Sequence, residues 1–337
     1  MPTVERSGCT SMCTSTATSR RSPPYWYTYS YTQISPFLTF NFPSCTPHRP
    51  ATPSPLLSRA LACICLVALL TSCRLEPAAA PAAGEIRLVS LAPSLTEIIA
   101  AIGADDKLIG RSSACNHPPD IVDTIPIVGG FGVTSVEALL AAAPTLVVST
   151  DLEDKSLVEQ LAVHGIELRT IRCERLTEIP AAIRELGRLT GRAEAADALA
   201  DRIASGIAQR RADPATTAVR PSVYLEIWHD PPMTAGRDSY LNDLIELAGG
   251  RNIADDVDKA YFRPSSEWVV QRDPAVIVSM SMSGKASTDR LAARPGWRAI
   301  DAARHGRVHH GLNADIVLRP GPRVLEAIDL IAACLQP

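Results

Sequence analysis

Short apolar runs alternate with stretches whose apolar positions recur at helical spacing, from residue 86 almost to the end of the chain. Residues 86–91 predict a first strand, which Ala92-Pro93 stops because proline cannot donate to a ladder. Ser94, followed three residues later by Glu97, has the spacing of a capping box. Gly103 then supplies the left-handed residue that ends a helix. A short strand near Leu108-Ile109 leads into a polar loop, Cys115-Asn116-His117-Pro118-Pro119. Val128-Gly129-Gly130-Phe131-Gly132 predicts a flexible loop carrying one aromatic ring. After Thr134 the pattern predicts a helix, then a strand at 145–149, a helix at 155–164, a strand at 167–171 and a helix at 177–189. Strand and helix alternate, which implies a largely parallel sheet with helices on its faces. Between 192 and 211 no strand signal intervenes, and Ala193, Ala196, Leu199, Ile203 and Ile207 fall on one helical face. Such a helix is a stiff rod of about 30 Å, so two bodies joined by it should close only slightly. A strand at 222–228 restarts the plan, which runs to a terminal helix at 324–334.

The second half echoes the first. Ser135, Glu137, Pro144 and Ser149 recur as Ser265, Glu267, Pro274 and Ser279, at a constant offset of 130 residues. Each copy predicts a short helix with an acidic first turn, a break at proline and a buried strand. Glu97-Ile98-Ile99 leads to Gly103 as Asp243-Leu244-Ile245 leads to Gly249. The fold class expected is therefore α/β: two Rossmann-like lobes with mainly parallel sheets, joined by one long helix, with a ligand cleft between them. The expected layout is an N-terminal lobe at 85–175, a linking helical segment at 176–214 and a C-terminal lobe at 215–337.

The front of the chain differs. Residues 60–70 are a run of eleven apolar residues after Arg59, too short to cross a bilayer but suited to a signal-peptide core. The run ends in Leu70-Thr71-Ser72-Cys73, which resembles a bacterial lipobox; Cys73 would then be lipidated and become the mature N-terminus. An ordinary signal peptide with a chance cysteine is the alternative. Residues 74–84, rich in Ala and Pro, suit a tether. Residues 1–55 are rich in Ser, Thr, Tyr and Pro, show no period, and are read as lying upstream of the true start, so that 1–73 is leader and signal. Without 1–73 the chain keeps 28 basic and 35 acidic residues, a net charge of −7. A mildly acidic body argues against a nucleic-acid partner, which needs a concentrated basic face. Besides Cys73, only Cys115, Cys173 and Cys334 remain; with export, Cys115–Cys173 is the expected disulfide.

Four of the eight mature aromatics, Phe131, Trp228, Tyr261 and Phe262, fall in Gly-, Pro- or Asp-containing segments that read as loops. Ligands of parallel α/β sheets bind at the carboxyl ends of strands, and flat rings there suit a large, partly apolar ligand. The alternative is that they pack loops onto the body. Glu137 and Glu267 also carry two readings. Thr134 to Glu137 is a capping-box spacing, and carboxylates favour helix N-termini. Yet one carboxylate on each lobe would also meet two basic sites on a partner. Enzyme motifs are wanting. Ser283-Gly284-Lys285 resembles the tail of a phosphate loop, but Ser279 replaces its first glycine and Ala286 follows the lysine. No Gly-x-Ser-x-Gly elbow occurs, and the histidines lack zinc spacing. No catalytic residue, metal site or resident cofactor is therefore expected.

Residues 86–334 resemble the periplasmic substrate-binding proteins of ABC importers built on a long backbone helix, the class carrying vitamin B12, siderophores and haem. The resemblance rests on Leu91-Ala92-Pro93-Ser94-Leu95-Thr96-Glu97, on Cys115 to Pro119, and on Gly132 to Glu137. It continues through Asp230-Pro231-Pro232, Ala248-Gly249-Gly250-Arg251-Asn252-Ile253 and Arg319-Pro320-Gly321-Pro322-Arg323. Vitamin B12-binding members are the most similar. The resemblance implies that Glu137 and Glu267 dock onto arginines of a permease. It implies ligand contacts from Pro93, Ser94, Asn116, Phe131 and Gly132 on the first lobe, and from Trp228, Tyr261, Phe262, Asp315 and Arg319 on the second. Departures are Phe131 and Tyr261 where those members carry tryptophans, Trp228 where they carry a smaller residue, and Ala248 in place of a cysteine, which leaves Cys334 unpaired. The function expected is a monomeric periplasmic lipoprotein that captures a corrinoid and delivers it to an ABC permease and its ATPase, with no catalysis. A ferric siderophore or haem is the alternative ligand, and an anionic one would call on Arg111, Arg237, Arg263 or Arg319. An exported enzyme using the same cleft is the alternative of another class.

Overall fold

The computed structural model describes residues 85–130, 132–150, 155–212, 220–280 and 291–336. Cys73, the tether, Phe131 and Ser283-Gly284-Lys285 lie outside them.

In the first lobe, β1 (Leu88–Ser90), β2 (Leu108–Ser112), β3 (Ile127–Gly130), β4 (Val133–Thr134), β5 (Leu146–Ser149) and β6 (Glu167–Thr170) form one sheet. Its order is β4-β3-β2-β1-β5-β6, parallel except for the edge pair β3–β4. The helices are α1 (Pro93–Ala101), α2 (Pro119–Val122), α3 (Val136–Ala142) and α4 (Lys155–Val163). A helical hairpin follows, α5 (Ile179–Thr190) and α6 (Ala193–Ala212). The second lobe holds β7 (Ser222–His229), β8 (Pro232–Ala235), α7 (Tyr240–Leu247), β9 (Arg251–Asn252), β10 (Tyr261–Phe262), α8 (Ser266–Arg272) and β11 (Val276–Ser279). It ends with α9 (Asp301–Arg304), β12 (Val308–His310), α10 (Ala314–Val317) and α11 (Val324–Leu335). Its sheet runs β10-β8-β7-β11-β12, with β9 beside β7. Here β8 pairs antiparallel with both β7 and β10, so the second sheet, mixed like the first, is not a copy of it.

The offset of 130 is kept to the residue. It relates α3 to α8 and β5 to β11, and it relates their caps. Ser135 and Ser265 each accept a backbone N–H of the first turn. Ala143 and Asp273 each end their helix in the left-handed conformation, at φ 47° and 41°.

Alternation along the strands sorts side chains into three layers. Leu88, Val223, Leu225, Val276 and Val278 join α1, α5, α6, α7 and α11 in one core that runs through both lobes. Val89, Val147 and Leu139 close the far face of the first sheet, and Tyr224, Ile277 and Trp297 that of the second. The lobes thus share their largest core, and separating them would expose it.

Two local expectations need correction. The segment read as a loop at 128–132 contains strand β3, which turns into β4. A Cβ at Gly129 would sit 2.9 Å from Thr134 Cα, so glycine there permits close strand pairing. Helix α1 starts at Pro93 with Ala92 as its cap, and Ser94 does not cap it. Proline is suited to that first position, whose N–H has no partner in the helix.

Candidate functional site

The loop after β2 and the start of α1 meet the 312–323 segment of the second lobe. Five side chains make the junction: Glu97, Asn116, Asp315, Arg319 and Arg323. Arg319 donates to Glu97 Oε1 (3.0 Å), Asn116 Oδ1 (2.7 Å) and Asp315 Oδ1 (2.6 Å). Arg323 grips Glu97 with two N–H groups, at 2.8 and 2.7 Å, and reaches the Asp315 carbonyl at 3.1 Å. Asn116 Nδ2 donates to Asp315 Oδ2 at 2.9 Å, so two predicted ligand residues from opposite lobes touch directly. Asn313 caps α10 by accepting the Asp315 N–H, which directs that carboxylate to the junction. The Glu97 side chain is 2% exposed, that of Arg319 14% and that of Asp315 40%. Asp315 is therefore the outward member. A cavity of about 220 Å³ lies at the same seam, lined by Glu97, His117, Pro118, Pro322 and Arg323.

A buried carboxylate loses several kcal/mol of hydration, which only well-formed pairs offset, and removing one partner costs about 3–5 kcal/mol. A forked Arg323 and a single bond from Arg319 on Glu97 meet that condition. Glu97 is thus an inter-lobe ion-pair residue, not a helix cap. Arg323 was not among the sequence-derived site residues. Its signal was there: it stands four residues after Arg319 around Pro-Gly-Pro.

Pro93 and Ser94 are buried, and Ser94 lies under Gly321 of the second lobe, whose Cβ would fall 3.6 Å from the Ser94 carbonyl oxygen. Their place is in the lobe contact. Gly132 is exposed at φ +69°. Tyr261 and Phe262 were expected in loops and form strand β10, while Trp228 lies in β7, at the end of the strand expected at 222–228. Trp228 stacks on His229 with ring centroids 5.9 Å apart and donates its indole N–H to the Asp230 carbonyl. Tyr261 packs against the shared core. Phe262, the next residue in the strand, turns to the other side. Its ring meets Trp268 edge-on at 5.3 Å, on the helix that carries Glu267.

At the ends of β7 and β11, Glu226 is buried, accepting Ser279 Oγ–H and pairing with Arg294 at 2.5 Å. At the end of the N-terminal lobe, Arg175 forms a forked pair with Asp243 of α7, and the Leu176 N–H adds a third bond to that carboxylate. The Asp243 pairing holds Arg175 even more firmly protonated than usual. The arginines offered to an anionic ligand are mostly spent within the protein. Arg111 is buried and donates to four carbonyl groups, and Arg237 bonds the Asp255 carbonyl and pairs with Asp258. Glu137 and Glu267 are both exposed, each at the second position of its helix. Ser135, not Thr134, is the cap of α3, so Glu137 does not complete a capping box.

Residues 88–312 match the periplasmic binding protein family. The chain belongs to that family. It is an α/β substrate-binding protein of the class with a long backbone helix. A cobalamin-binding protein of Halobacterium salinarum is 31% identical over 264 residues, covering 73% of this chain and 68% of that one. The uncharacterized ABC transporter substrate-binding lipoprotein YvrC of Bacillus subtilis is 28% identical over 259 residues, covering 74% and 80%. The structure of the periplasmic heme-binding protein RhuT from Roseiflexus sp. RS-1 superposes with a TM-score of 0.67 at 26% identity, covering 75% of this chain and all of that one. The family consists of extracytoplasmic solute-binding proteins serving ABC importers. Among the described residues no helix is long and apolar enough to cross a membrane, and no group of three His, Cys, Asp or Glu residues is placed to hold a metal ion.

Proposed function

We propose that this substrate-binding protein captures a corrinoid between its lobes and delivers it to an ABC permease and ATPase, tethered to a membrane through lipidated Cys73. The observation that carries the ligand class is that three of the four arginines named for an anionic ligand already have partners within the protein. Arg319 is matched by Glu97 and Asp315, Arg237 by Asp258, and Arg111 is spent on buried carbonyl groups. A dianionic haem or an anionic siderophore would have to displace those partners. A cobalamin carries a fringe of neutral amides, which suits the amide of Asn116 and the outward carboxylate of Asp315. Trp228 and Tyr261 would supply flat contact area, and Glu137 and Glu267, one exposed acid per lobe, would meet the permease. The similarity to a cobalamin-binding protein supports the same ligand.

Calorimetric titration of the purified protein with cyanocobalamin and, separately, with haemin tests this reading. Saturable one-to-one binding of cyanocobalamin at submicromolar Kd, with haemin at least about tenfold weaker, is expected. Tight haemin binding without corrinoid binding would overturn the ligand and favour the haem carrier that the RhuT likeness suggests.

A further inference from the structure

Two arginine–carboxylate clasps join the lobes at positions related by the internal repeat. Glu97 lies on α1 and Asp243 on α7, each six residues before the glycine that follows its helix. Each acid takes its arginines from outside its own lobe. Glu97 is gripped by Arg319 and Arg323, ahead of the terminal helix, and Asp243 by Arg175, ahead of α5. Both pairings are forked, with two or more N–H groups on one carboxylate, which fixes orientation as well as distance. The Glu97 clasp continues into the cleft, because Arg319 also holds Asn116 and Asp315. Among the described residues the Asp243 clasp bonds none of those assigned to a corrinoid, and Arg175 reaches the Arg237 carbonyl at 3.5 Å.

We propose that the two clasps position the lobes and set the width of the cleft, so that Arg175 and Asp243 govern ligand fit without touching the ligand. The shared core holds the lobes together, and two separate ties restrain the rotation that one tie alone would permit within that packing. The effect on fit rests on the carrier function proposed above, while the effect on lobe position does not.

The test uses spin labels on Val163→Cys and Ala299→Cys, both exposed and one on each lobe, with the inter-label distance read by pulsed EPR. Arg175→Gln and Asp243→Asn should each broaden the distance distribution and weaken cyanocobalamin binding about tenfold. The charge-swapped pair Arg175→Asp/Asp243→Arg should restore both readings, which loss of stability alone would not do. If Asp243→Asn does not fold, Arg175→Gln decides the matter, since that side chain is 40% exposed. Distances and affinity equal to those of the parent in a folded variant would overturn the proposal. If the parent binds no corrinoid, the corrinoid assignment fails and the distances alone decide lobe positioning.

Discussion

Cys115, Cys173 and Cys334 are all buried and all free, and each has its own surroundings. The Cys115 thiol sits among Thr96 Oγ1 (3.0 Å), Ser112 Oγ (3.2 Å) and the Ser90 carbonyl (3.8 Å). It is occupied there, so the expected bridge to Cys173 does not form. Bridging depends on Cα separation and Cβ direction, neither of which sequence spacing reports. Burial pushes the Cys173 thiol up to about 12 from 9.0, helped by Glu178 and Glu185. The unfolded chain therefore loses this proton first. The stability this thiol contributes is complete below pH 9 and declines as pH rises toward 12. Cys173→Val should flatten that alkaline decline in a denaturant titration. At pH 8 a thiol reagent should leave the three unlabelled in native protein and modify all of them in denaturant; prompt native labelling would contradict their burial.

At the level of elements, α3 and α8 share one design, and their differences predict different responses. Ala143 holds a left-handed conformation that costs an L-residue roughly 1–2 kcal/mol, so Ala143→Gly should stabilise the protein by about 1 kcal/mol in chemical unfolding. Asp273→Gly should gain less, because its carboxylate accepts the Asp301 N–H at 2.7 Å. Gly187 on α5 is a different case. A Cβ there would lie 2.2 Å from Ala196 Cβ on α6, and neither atom can rotate away. Gly187→Ala should cost about 1–3 kcal/mol, seen as a Tm lower by about 3–10 °C. Under the proposed docking role, Glu137→Ala and Glu267→Ala together should leave ligand affinity unchanged and weaken uptake by cells. Unaltered uptake would remove that role. The two helices were legible because Ser, Glu and Pro mark both ends. Strand β3 was not, because its pairing needs Gly129, and glycines in sequence signal a loop as readily as a close strand approach.

For the whole molecule, the organising fact is one core shared by both sheets and by α1, α5, α6, α7 and α11. Domain separation therefore exposes apolar surface, and the stiffness first argued from the length of α6 has a second source in packing. By itself the sequence determined the two lobes, the long helix between them, the 130-residue repeat and the exposed acids on α3 and α8. Each of these follows from local periodicity or helix-end chemistry, which neighbouring residues set. Only the tertiary structure decided what Glu97 and Asp243 do, since their arginines stand more than 200 and nearly 70 residues away. It also showed that Arg111, Arg237 and Arg319 are bonded within the protein and that Pro93 and Ser94 lie in the lobe contact. Charge pairing across a cleft is set by which loops meet in space, and no local pattern in the chain encodes that meeting.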